Sequence, residues 1–176
     1  VSYSQARGGR CAAARPLPGP GTPWLSLGAV EPPVLVSDKV IAGSATRQGA
    51  RLAAEIGGSA TNNPPASQVS IDQNIVQNVL AVARAMNYST LQEIDIYAPR
   101  ATNGVFNPGT DLYSQFDGNG TQISSNFPIT AREQIPPNET SIGVRLTWVY
   151  RPPTGFATFT ILLNEFTVMK TAPGLV

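Results

Sequence analysis

The stretch ATRQGARLAAEIGG, residues 45–58, decides how this chain is read. It has the composition of a helix and closes on Gly57 and Gly58, which stop helical turns. Its packing side offers Ala45, Gly49, Ala50 and Ala53 but few large apolar side chains. Small residues let a neighbouring backbone come close, at a propensity cost for the glycine. Arg47 and Arg51 stand one turn apart on the same segment. Ala45, Arg47, Gly49, Ala50, Arg51 and Ala53 are therefore the candidate packing and assembly face.

Upstream, Ser37 or Asp38 is positioned to cap this helix, which is predicted over 37–56 with Ile41, Ala45, Leu52 and Ile56 near one face. Residues 1–36 differ in kind. Arg7, Arg10 and Arg15 lie among glycines and alanines, and Pro16, Pro18, Pro20, Pro23, Pro32 and Pro33 follow. Proline removes backbone donors and clashes with the preceding helical turn, so an irregular Pro/Gly-rich arm is expected, with 37–176 as one domain.

Downstream, residues 58–69 read as a loop. Ser70 followed by Gln73 has the spacing of a capping box. Ile71, Ile75, Val79, Val82 and Met86 then recur at helical spacing, which predicts an amphipathic helix ending near Asn87. After this the period becomes two. Residues 92–98 alternate Ile94 and Ile96 against Glu93, Asp95 and Tyr97, so the two carboxylates share one sheet face, expected to be solvated. Residues 99–140 are mostly turns, with a short strand expected at 121–127. Residues 141–151 alternate cleanly, with Ile142, Val144, Leu146, Trp148 and Tyr150 on one side. The partner strand at 156–171 changes parity between Leu163 and Phe166, which predicts a bulge near Asn164–Glu165. The resulting plan is α+β: two helices on a small antiparallel sheet of 3–4 strands.

Several chemistries are excluded or unsupported. The chain has 12 Lys+Arg against 11 Asp+Glu, so charge makes no case for a nucleic-acid partner. It contains no histidine, which removes histidine-based triads and histidine metal ligation. The one cysteine, Cys11, has no partner within the chain and gives no compartment signal. Asp111, Asp117 and Asn119 offer oxygen atoms, but DGNG lacks the remainder of a calcium loop and is first a turn former. No nucleophile stands with a base. The reading is non-enzymatic, with no cofactor and no small-molecule substrate. Sequons at Asn87, Asn119 and Asn138 matter only in a glycosylating secretory pathway.

SDKVIAGSATRQGARLAAEIGG resembles the segment that follows the membrane helix in TadE/TadG-like proteins, with Ala45, Arg47, Gly49, Ala50, Arg51, Ala53 and Ala54 at matching places. The strand SIGVRLTWVY, the proline turn and the ending VMKTAP are also similar to that family. The resemblance implies a pilin-like minor component of a tight-adherence (Flp) pilus system. Such a component sits on the extracytoplasmic face of a bacterial or archaeal membrane and assembles with other pilin-like subunits. It also implies an apolar anchor ahead of Ser37, where this sequence has prolines, so residues 1–33 read as a segment mistranslated or standing in place of that anchor. Arg47 and Arg51 would then mark the side just beyond the membrane. The alternative reading is a secreted, adhesin-like binding module presenting loops 99–140, with Trp148 and Tyr113 as its contact aromatics.

Overall fold

The computed structural model describes residues 22–58, 68–134, 137–153 and 160–172. Two helices, α1 (Thr22–Ile56) and α2 (Gln68–Ala83), are followed by five strands, β1 (Ser89–Ala98), β2 (Leu112–Asp117), β3 (Gln122–Ser125), β4 (Ser141–Tyr150) and β5 (Ile161–Lys170). The sheet is antiparallel throughout, in the order β3-β2-β1-β4-β5. The fold is thus α+β with five strands, where 3–4 were expected. The added strand is β2; β3 falls within the short strand expected at 121–127, and both lie inside the turn-rich stretch. Their pairing is short and interrupted by a register shift at Gln115/Phe116, so period-two patterning is faint there.

Both helices lie on one face of the sheet. Ile71, Ile75, Val76, Val79 and Leu80 of α2 meet Ile94, Ile96, Phe116, Val144, Leu146 and Trp148 of the strands in one apolar cluster. The alternation read in 141–151 is the alternation observed, with Ile142, Val144, Leu146 and Trp148 all fully buried. Burial of such side chains contributes about 1.5–3 kcal/mol each, and supplies the dominant favourable term.

Three local expectations are corrected. The backbone of α1 is helical from Thr22 and passes through Pro32 and Pro33, so neither Ser37 nor Asp38 caps it. Proline forgoes a backbone donor, but its φ is close to the helical value, and a helix can continue past it. Residues 1–21, with Cys11 and the first arginines, lie outside the described residues. In α2, Ser70 sits inside the helix rather than at its cap, and Gln73 Nε2 donates instead to the Gly120 carbonyl at 3.2 Å. The helix also ends at Ala83, earlier than Asn87, and Ala85 and Met86 close tight turns onto Val82 and Ala83.

The third correction concerns β5. It pairs with β4 from Ser141↔Lys170 to Tyr150↔Ile161 without a bulge. The parity change has another cause: both faces of β5 are covered, at different places. Leu163 packs toward the helices, while Phe166 and Val168 lie on the opposite face beneath Gly104. The pairing of β4 is irregular on its other side instead, in β1, where Gln92 is an extra residue between Leu91↔Trp148 and Glu93↔Thr147.

Candidate functional site

Two surfaces carry side chains that packing alone does not account for: the outward side of α1, and the sheet face away from the helices. On α1, Ala45, Ala50 and Ala53 are fully buried. Gly49 marks the closest approach: a Cβ there would lie 2.4 Å from Val79 Cγ2 of α2 and 3.3 Å from Val144 Cγ1 of β4. The small-residue side therefore seats α1 between its own second helix and its own sheet. Arg47 and Arg51 point the other way and are exposed. Arg47 Nε donates to the Gly43 carbonyl at 2.8 Å, and Arg51 pairs with Glu55 at 3.0 Å. The six sequence-selected residues thus divide into a buried set and an exposed set.

Along the exposed side, a groove of about 270 Å³ runs between α1 and β5, lined by Val36, Lys39, Val40, Gly43, Arg47, Glu165 and Thr167. Val36 and Val40 are 59% and 61% exposed, high values for aliphatic side chains beside a groove. Among the described residues, no helix is long and apolar enough to cross a membrane.

The far sheet face is built differently. Asp95 on β1 stands opposite Arg145 on β4, and Glu93 stands two residues away on the same side. Arg145 Nε and Nη2 both lie 2.8 Å from Asp95 Oδ2, and Nη2 also reaches Glu93 Oε1 at 2.5 Å. The Asp95 side chain is fully buried, whereas Glu93 retains 28% exposure. The expected solvated face is thereby corrected: residues 99–111 fold back over it. Phe106 stacks on the Arg145 guanidinium at 4.3 Å and meets Tyr97 and Tyr113 edge-on at 5.0 and 5.1 Å. Tyr97 Oη donates to the Gly104 carbonyl at 2.7 Å. The Tyr97 ring occupies the space above Gly143, where a Cβ would come within 2.4 Å of it. Asp111 ties the loop ends together, its carboxylate accepting from the amides of Arg100 and Asn107.

This environment separates the two acids. Burial pushes the Asp95 carboxyl up to about 7, against the lowering pull of Arg145, and the charge of Glu93 adds to the rise. Burial also pushes Glu93 upward, but hydrogen bonds with Asp95 and Gln115 and the Arg145 charge outweigh it and hold Glu93 below its ordinary value. Burial raises the Tyr97 phenol well above its ordinary range, and the Asp111 charge raises it further.

Other residues singled out in the sequence have plain structural places. Trp148, expected at a binding surface, is fully buried on the helix side and offers no contact to a partner. Tyr113 belongs to the Phe106 aromatic cluster. Asp117 is held below its ordinary value by hydrogen bonds from Thr121 first and Asn119 next, and so shapes the β2–β3 turn.

Two polar anchors have roles that the local sequence does not signal. Asp38, almost fully buried, accepts from the Asn87 and Tyr88 amides and from Ser89 Oγ at 2.6 Å, fixing the start of β1 to α1. Arg132 forms a bidentate pair with Asp72 at 2.7 and 2.9 Å, lies over the Phe127 ring at 4.4 Å and donates to the Phe127 carbonyl. Both charged side chains of that pair are fully buried.

No family model, curated protein or solved structure matches this chain.

Proposed function

We propose that the protein is a non-enzymatic, pilin-like assembly component of the cell envelope, of the tight-adherence pilus kind, on the extracytoplasmic side of the membrane. The observation that carries this reading is the division of α1 into two sides. Its small residues lock it to its own fold, through Gly49 against Val79 and Val144. Val36, Val40, Arg47 and Arg51 follow at spacings of four, seven and four, which keeps them along one exposed stripe. Two apolar and two basic residues on one line suit a neighbouring subunit's helix, or the boundary between headgroups and water. The groove beside β5 extends that stripe. The TadE/TadG-like pattern in residues 37–58 agrees with a helix whose N-terminal continuation serves the membrane.

The test is site-specific photo-crosslinking from Val40 in cells producing the full-length gene product. Crosslinks to other envelope subunits in the membrane fraction, lost in Arg47→Glu, are the expected outcome. A freely secreted monomer with no crosslinked species would overturn the reading.

A further inference from the structure

We propose that Glu93, Asp95 and Arg145 form a one-proton latch that clamps loop 99–111 to the sheet, and that losing the proton lifts the loop, with Phe106, from Arg145 and the rings of Tyr97 and Tyr113. The geometry brings together two carboxyls and one guanidinium, with Asp95 fully buried and Glu93 and Arg145 partly exposed. Asp95 Oδ1 is buried with no donor to satisfy it. Arg145 Nη2 is shared between Asp95 Oδ2 and the Glu93 carboxyl, so two acids crowd one guanidinium. A single proton on Asp95 relieves the crowding. With that proton in place, Asp95 is neutral, Glu93 and Arg145 balance, and the cluster carries no net charge. Without it, a buried site holds one uncompensated negative charge, which is costly in a poorly hydrated setting.

The remaining charges around Asp95 do not relieve this. On β1 there are only Glu93 and the Tyr97 phenol. On β4, Arg145 is already shared between both acids. From β2 come neutral Gln115, the Tyr113 phenol and, opposite Glu93, Asp117, whose carboxylate is taken up by the Asn119 and Thr121 amides; from β5 the apolar Phe166 stands across from Arg145. The loop itself adds the Asp111 carboxylate, with Arg100 exposed. The cheapest relief is hydration of Asp95, and the loop is what keeps water out. Its attachments to the sheet run through two residues: Phe106, stacked on Arg145 and edge-on to Tyr97 and Tyr113, and Gly104, which accepts from Tyr97 Oη and lies over Val168. Opening the loop and releasing the proton to solvent are therefore linked events. The latch acts on the far side of the sheet from α1, and would work whether or not α1 assembles with partners.

The test is hydrogen exchange on the full chain at several pH values. Amides in 100–111 are compared with those of β4 and corrected for intrinsic exchange. Protection of the loop relative to β4 is expected to fall about tenfold or more between pH 5 and 7.5 in the wild type. In Asp95→Asn, a neutral isostere, it is expected to stay level. A flat wild-type profile overturns the latch, as does an equal fall in Asp95→Asn. Should that variant fail to fold, carboxyl-carbon titration of Asp95 in the wild type decides. A midpoint near 7 that tracks loop exchange supports the latch, and a midpoint at the ordinary 3.8 overturns it.

Discussion

The two faces of this sheet are covered by different means. The helix face is closed by apolar side chains from α1 and α2, with one charged pair, Arg132–Asp72, sealed at its margin. The far face is closed by a thirteen-residue loop, 99–111, which lays its own Phe106 over an acid pair, an arginine and two tyrosine rings. Apolar burial is insensitive to proton concentration, whereas a buried acid pair is not. One sheet therefore joins a side built for permanence to a side whose closure depends on one proton.

The largest effect is expected from removing one member of the sealed pair. Arg132→Met leaves Asp72 buried without its partner and should cost about 3–5 kcal/mol in denaturant unfolding. A cost below about 1 kcal/mol would mean that this margin admits water, and the contrast between faces would weaken. Next is Gly49→Ala. Its Cβ would press on Val79, so a loss of about 1–3 kcal/mol is expected despite the better helix propensity. Adding Val79→Leu should worsen the loss and adding Val79→Ala should recover part of it, a coupling that unfolding curves of the double mutants would reveal. On the far face, Tyr97→Phe removes the bond to the Gly104 carbonyl and should cost about 1–2 kcal/mol, with faster exchange confined to 99–111. The smallest effect belongs to neither face. Arg51→Ala breaks an exposed pair one turn long and should change stability by less than about 0.5 kcal/mol.

The helix face was largely legible because its signal is periodic. Ile71, Ile75, Val79 and Val82 mark α2, and Ile142 to Tyr150 mark β4, by spacing alone. The far face was not, because its cover is made of pairings distant in sequence. Asp95 and Arg145 are fifty positions apart. Nothing local distinguishes Glu93–Asp95 from a solvated strand face until loop 99–111 is seen to lie on it. The same reason explains β5: Phe166 and Val168 look like a slipped register only while the far face is assumed bare. Asp38 read as a helix cap because its partners, Asn87 to Ser89, lie about fifty residues downstream. For α1, the small residues were identified from the quoted stretch, and what they pack against, Val79 and Val144, required the fold.

The most direct test of the contrast is urea unfolding of the wild type and Asp95→Asn at pH 5 and pH 7.5. Asp95 has a raised pKa in the folded state, about 7 against an ordinary 3.8, so its stabilising contribution is complete below the ordinary value and is lost as pH rises through about 7. Glu93, shifted downward, contributes above its ordinary 4.5 and loses that contribution only as pH falls, so it is nearly constant across this window. The wild type should therefore be less stable at pH 7.5 than at pH 5 by about 1–3 kcal/mol, while Asp95→Asn stays level. Parallel pH dependence in the two proteins would contradict a proton held beneath the loop.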